Sequence, residues 1–243
     1  MPLIFAHRGS SGLYPENTME AFTCALRHKA DGIELDVQLT LDGEVVVIHD
    51  HRLERTTNGS GLVQQHTLAE LRQLNAGRWF HPRFKTSRIP TLAEVFTFVK
   101  PTRLMVILEL KNLLVPQPHL EEKVCQLIDE FELGERVILS SFNFNSLRKI
   151  KELNNSLQTG MLYVGHLLEP WKTGLTYGVD QLHAPVDEVS LSVVKESHKN
   201  GLSVLAWTVD QKKAVRRMLA MKVDGLITNY PEQARKLMQI QPM

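Results

Sequence analysis

Cysteine is scarce in this 243-residue chain: Cys24 and Cys125 are the only two. Both fall inside helical patterns, so no disulfide framework is expected and both thiols are read as reduced core fillers. Long apolar runs are missing as well; none approaches the roughly 18 residues that mark a membrane span. Neither sign of charge prevails, with 28 Lys and Arg against 27 Asp and Glu and a net charge of +1. That balance removes the electrostatic case for nucleic acid or an anionic membrane as partner. The basic pairs Lys212-Lys213 and Arg216-Arg217 read as the solvated face of one helix. Met1-Pro2-Leu3-Ile4-Phe5 has no basic segment and no long apolar core, so no signal peptide is expected and the expected location is cytoplasmic. There is no internal repeat, heptad seam or low-complexity stretch. What remains is an ordinary globular composition, 43% hydrophobic and 23% charged, at a length that suits one large α/β domain.

The most informative segment is Gly32-Ile33-Glu34-Leu35-Asp36-Val37. Ile33, Leu35 and Val37 alternate with two acids, the period-2 pattern of a strand. Residues i and i+2 share a face about 6.5–7 Å apart, so one face is apolar and the other carries two mutually repelling carboxylates. A hard divalent cation is the natural compensation. Downstream, Asp42-Gly43 separates two β-rich runs and signals a two-residue hairpin. With Leu41 opposite Glu44, that register puts His49 across from Asp36; a one-residue slip would turn His49 to the other face.

Along the chain, strand and helix alternate. Strands are expected at 3–7, 32–37, 104–110, 137–141, 158–163, 180–184, 202–208 and 224–228, with helices at 17–28, 91–99, 119–131, 144–154, 190–199, 211–220 and 231–239. Eight such units predict an α/β chain folded as a (β/α)₈ TIM barrel, with a doubly wound open sheet as the competitor that strand counting leaves open. Asn17 and Glu20 resemble a capping box for the first helix. Residues 50–90 break the rhythm and read as a small insertion after the strand-2 hairpin, within a single domain spanning 1–243. Between 163 and 180, Glu169-Pro170-Trp171-Lys172 allows only a short helix.

In such a barrel the active site lies at the C-terminal strand ends. Those ends carry His7-Arg8-Gly9, Glu34 with Asp36, Glu109 with Lys111, Trp207-Thr208 and Thr228-Asn229. The charges make mutual sense: acids hold a cation, and Arg8, Lys111 and that cation hold a phosphate. A structural ion network without metal is the plainer alternative, and Trp207 is first of all a packing residue at the barrel top. His51, His66, His81 and His183 gain no role from their spacing.

These residues resemble the glycerophosphodiester phosphodiesterases, of the short cytosolic bacterial type. The matching segments are His7-Arg8-Gly9, Pro15-Glu16-Asn17-Thr18, Glu34-Leu35-Asp36, Asp42-Gly43, Val47-Ile48-His49-Asp50, Arg55-Thr56-Thr57, Trp79-Phe80, Ile89-Pro90-Thr91-Leu92, Glu109-Leu110-Lys111, Trp207-Thr208-Val209 and Asp224-Gly225. The resemblance implies a TIM barrel with one divalent cation, Mg²⁺ or Ca²⁺ with Mn²⁺ as a further candidate, held by Glu34, Asp36 and Glu109. It implies His7 and His49 as the acid–base pair, with Arg8 and Lys111 near the phosphate; Trp207, by its place at the barrel top, is taken as a substrate contact as well as a packing residue. The implied reaction is hydrolysis of a small-molecule glycerophosphodiester to sn-glycerol 3-phosphate and an alcohol, with no nucleic acid or stable membrane partner. Lysophospholipid cleavage, or formation of a cyclic phosphate, is the alternative on the same site. Which histidine is acid and which base, and the oligomeric state, stay open. The chain departs from the family pattern at Asn229, where many relatives carry Asp, and at Asp210, where many carry Asn; altered loop bonding is the expected consequence.

Overall fold

The computed structural model describes residues 1–240. Its strands are β1 (Leu3–His7), β2 (Gly32–Leu39), β3 (Val45–Val47), β4 (Met105–Leu110), β5 (Val137–Ser141), β6 (Gln158–Leu162), β7 (Gln181–Pro185), β8 (Ser203–Trp207) and β9 (Gly225–Thr228). The helices between them are α1 (Met19–Arg27), α2 (Leu68–Leu71), α3 (Leu92–Val99), α4 (Leu120–Phe131), α5 (Phe144–Leu153), α6 (Pro170–Tyr177), α7 (Leu191–Lys199), α8 (Lys212–Met221) and α9 (Pro231–Ile240). All strands but β3 run parallel, and β1 pairs with both β2 and β9. That double pairing closes the sheet into an eight-stranded barrel and rules out the open sheet.

The two faces of each strand have different jobs. Ile33, Leu35 and Val37 of β2 and Val106, Leu108 and Leu110 of β4 point outward, into a core shared with the apolar faces of α1, α3 and α4. On α3 that face is Leu92, Val95, Phe96 and Val99, all fully buried, and the helix opens with a capping box of Thr91 and Glu94. The inward face is filled by Phe5, Ile107, Ile138, Leu205 and Ile227, so the barrel is a packed plug below its C-terminal mouth. Between β3 and α3 the chain wraps a smaller cluster, Leu53, Val63, Leu71, Ala76 and Ile89, against Val46 and Ile48 of the hairpin.

Two local expectations are corrected. The hairpin pairs Val37 with Val47 and Leu39 with Val45, one residue away from the expected register. The Gly43 N–H donates to the Thr40 carbonyl and the Thr40 N–H to Glu44, leaving a three-residue loop, Leu41–Gly43, with Gly43 at φ +80°. A third loop residue in left-handed conformation is the usual solution when the turn is not a two-residue type. In addition, α1 is capped by Thr18, whose hydroxyl accepts from the Ala21 N–H. Asn17 sits at φ +56°, a conformation Asn tolerates but unlike the extended backbone of a cap. The segment 163–180 forms two turns of helix, α6, begun by Pro170.

Candidate metal and acid–base site

The acidic pair of β2 becomes a triad at the barrel mouth. In the parallel register His7 lies beside Glu34 and Asp36 beside Glu109. Carboxylate oxygens of Glu34, Asp36 and Glu109 all lie within 4.8 Å of one another, and all three residues are buried. The Lys111 Nζ is 2.6 Å from Glu109 Oε1 and 3.8 Å from Asp36 Oδ1. Arg8, at φ +53°, turns its backbone N–H onto Glu34 Oε2 at 2.9 Å and its Nε to 3.4 Å from Asp36 Oδ2. Asn17 Nδ2 donates to the same Asp36 oxygen at 2.8 Å.

Three carboxylates against two fixed cations leave an excess of negative charge, and the protonation energetics reflect it. Burial pushes the Glu34 carboxyl well up, with the Asp36 and Glu109 charges adding to it. Burial and Asp36 push Glu109 up to about 7. For Asp36 burial is outweighed by Arg8, His49, Lys111 and the Asn17 amide, which hold it well below the usual carboxylate range. Asp36 Oδ1 is buried and accepts no hydrogen bond. An all-oxygen donor set with one orphaned lone-pair group matches the requirement of a hard divalent cation.

Two imidazoles flank the triad. His7 Nδ1 is 2.7 Å from Asn229 Oδ1, and its Nε2 is 4.0 Å from Glu34 Oε2. Burial, then the Arg8 charge, lowers its pKa to about 4. His49 lies just beyond β3 on a turn pinned by Gln38, whose amide donates to the carbonyls of Ile48, His49 and Asp50. Its Nδ1 is 2.6 Å from Asp50 Oδ1, and burial lowers its pKa as well. Arg55 completes the frame, bonding both oxygens of Glu16 and both of Asp50; Glu16 in turn accepts from Arg8. A cavity of about 180 Å³ opens beside the histidines, with Ile107, Phe142, Leu162, Trp207 and Ile227 as its apolar wall. Trp207 is held edge-on to Phe142 and donates its indole N–H to the His183 carbonyl at 2.9 Å.

A barrel mouth with a buried carboxylate triad, two cations and two imidazoles is equipped for phosphoryl chemistry. Comparison with known proteins agrees: the profile of the Glycerophosphoryl diester phosphodiesterase family matches residues 7–233. The chain belongs to this family. It is 46% identical over 230 residues to a glycerophosphodiester phosphodiesterase of Caldanaerobacter subterraneus subsp. tengcongensis, covering 95% of each chain. It is 39% identical to one from Bacillus altitudinis, covering 98% of each. Among solved structures, a phosphodiesterase of Oleispira antarctica in complex with the product sn-glycerol-3-phosphate superposes with a TM-score of 0.88. Sequence identity to it is 29%, with 98% of this chain and 97% of that one covered.

Within this family frame, the structure brings His7, Arg8, Glu34, Asp36, His49, Glu109, Lys111 and Trp207 to one rim. Sequence reasoning missed their supports. Asn17, read as a cap, bonds a carboxylate of the triad; Glu16, Asp50 and Arg55 form the frame; and Asn229, expected to alter only loop bonding, contacts His7 directly. His183, given no role, lies in the barrel interior beside the cavity with no exposed surface. The alternation of β7 already placed it on the same face as Gln181, the one signal that could have found it. Among the described residues, no helix is long and apolar enough to cross a membrane.

Proposed function

We propose that the chain hydrolyses glycerophosphodiesters such as glycerophosphocholine and glycerophosphoethanolamine to sn-glycerol 3-phosphate and the free alcohol. The observation that carries this reading is the buried triad of Glu34, Asp36 and Glu109 flanked by Arg8, Lys111 and two histidines. The named product in the Oleispira neighbour supports it. Glu34, Asp36 and Glu109 would hold one divalent cation, Mg²⁺ or Ca²⁺ with Mn²⁺ as a substitute, and the bound ion would supply charge neutralisation at the phosphate oxygens. Arg8 and Lys111 orient the phosphodiester and offset its charge. His7 and His49 move the protons, one taken from the attacking O–H (water, or a glycerol hydroxyl whose cyclic phosphate water then opens) and one given to the departing alkoxide. Imidazole suits both tasks because its ordinary pKa lies near neutrality: the neutral ring takes a proton and the imidazolium gives one. Phe142 and Trp207 close the apolar side of the cavity against water.

Release of sn-glycerol 3-phosphate from glycerophosphocholine, followed with a coupled dehydrogenase, tests the proposal on EDTA-stripped protein with each cation added back. Release restored by metal and absent in Glu34→Ala is the expected result; no release with any cation from folded protein would overturn it. A second reading has one observation behind it. Leu113 and Leu114, in the loop after β4, and Val164 and Leu168, in the loop after β6, are largely exposed on the cavity's end of the barrel. An acyl chain would find partners there. Faster turnover of lysophosphatidylcholine than of glycerophosphocholine would select that reading.

A further inference from the structure

We infer that Asn229 and Asp210 are positioning residues that hold His7 as its Nδ1–H tautomer. The bare Nε2 is thereby left to take the first proton, from the attacking hydroxyl. The inference rests on the hydrolase reading above and deepens it by naming which ring nitrogen works.

The hydrogen bonds leave one solution. Asp210 accepts three: from the Asn229 backbone N–H at 2.8 Å, the Thr228 hydroxyl at 3.0 Å and Asn229 Nδ2 at 2.6 Å. A carboxylate so loaded only accepts, so the Nδ2 end of the Asn229 amide must face Asp210 and the Oδ1 end must face His7. An amide oxygen cannot donate. The 2.7 Å contact with His7 Nδ1 therefore requires the hydrogen to be on Nδ1. The Ser11 hydroxyl, 2.6 Å from the same Oδ1 and 2.6 Å from the His7 carbonyl, buttresses this arrangement. A neutral imidazole has a single N–H, so Nε2 carries a lone pair. Its separation of 4.0 Å from Glu34 Oε2 fits that assignment, since an N–H there would be drawn into hydrogen-bond distance of the carboxylate. The partner of His49 is of another kind, the Asp50 carboxylate itself. The two histidines are thus held by chemically different groups, an amide and a carboxylate.

The test reads the tautomer directly. In protein labelled with ¹⁵N-histidine, metal-free and at neutral pH, the His7 signals are those missing from His7→Gln. Wild type is expected to show a protonated Nδ1 and a bare Nε2. In Asn229→Leu the hydrogen moves toward Nε2, and kcat for glycerophosphocholine falls on the order of 10²-fold, within what a positioned base contributes, with KM little changed. Exchanging the pair as N229D/D210N restores an acceptor to Nδ1 and recovers most of the lost rate. A wild-type ring protonated on Nε2, or Asn229→Leu with unchanged tautomer and kcat, would overturn the inference. The wild-type spectrum needs no variant to fold. Its outcome is separate from the activity assay: a ring with bare Nε2 in a chain that hydrolyses nothing sinks the hydrolase reading and upholds the positioning.

Discussion

Asp36 has no exposed surface, yet it stays ionised because Arg8, Lys111, His49 and Asn17 surround it. Glu34, two residues earlier on the same face, is pushed the other way by burial and by its acidic neighbours. An acid whose folded pKa is raised is fully stabilising only below its unfolded pKa and loses that contribution as pH rises through the folded value. At neutral pH the metal-free protein therefore works against Glu34. Glu34→Gln is expected to raise the melting temperature of the metal-free protein, by roughly 2–4 °C for each kcal/mol relieved. Added Mg²⁺, Ca²⁺ or Mn²⁺ should raise it in wild type and not in the variant; calorimetry with and without cation decides. His7→Ala and His49→Ala are each expected to lower kcat by about 10²–10⁴-fold while cation affinity, read by titration calorimetry, stays close to wild type. Near-normal turnover in either variant removes that residue from the proton transfers.

At the scale of elements, the β2–β3 hairpin matters more than its size suggests, because it carries His49 to the triad. The expected two-residue turn and the observed three-residue loop differ by one step of register. That step would ordinarily turn a strand residue to the opposite face. His49 escapes the penalty because β3 ends at Val47 and the Gln38 amide, not the strand pleat, aims the next three residues. The loop depends on Gly43 at φ +80°, where an added Cβ would also meet Lys123 Nζ at 3.0 Å. Gly43→Ala is expected to cost about 1–2 kcal/mol, the penalty of a left-handed L-residue. Denaturant titration should show a lower midpoint with an unchanged slope. Helix periods were legible to within one or two residues at most ends, since an apolar stripe and a Thr or Ser cap are local signals. Asn17 was not, because Asn serves both caps and left-handed turns, and only Asp36, brought close by the fold, distinguishes them.

Over the whole molecule, the packed interior of the barrel sets its response to acid. Burial lowers the pKa of His183 to about 3 and that of His7 to about 4, against 6.5 for a free imidazole. For a base with a depressed folded pKa, the unfolded chain binds the proton that the folded chain refuses. The stabilisation is complete above pH 6.5 and is lost progressively as pH falls toward those folded values. Thermal melts should therefore decline from pH 7 to pH 4 more steeply in wild type than in His183→Gln, by a difference on the order of a few kcal/mol at the acid end. Parallel slopes in the two proteins would show that His183 takes up its proton without unfolding.

Sequence by itself determined what is periodic or adjacent: eight β/α units, the outward apolar and inward acidic faces of β2 and β4, and the strand-end residues that gather at one mouth. Tertiary structure decided closure, since only the pairing of β1 with both β2 and β9 separates a barrel from an open sheet. It also decided the partners. Asn229 meets His7 across a separation of 222 residues, and Arg55 meets Glu16 across 39. No local pattern encodes such pairs, because hydrogen-bond geometry depends on where the closed sheet carries each side chain. The chemistry of an imidazole depends on that partner as much as on the ring, so the place of His7 at the barrel mouth was legible in the chain and its hydrogen-bond partner was not.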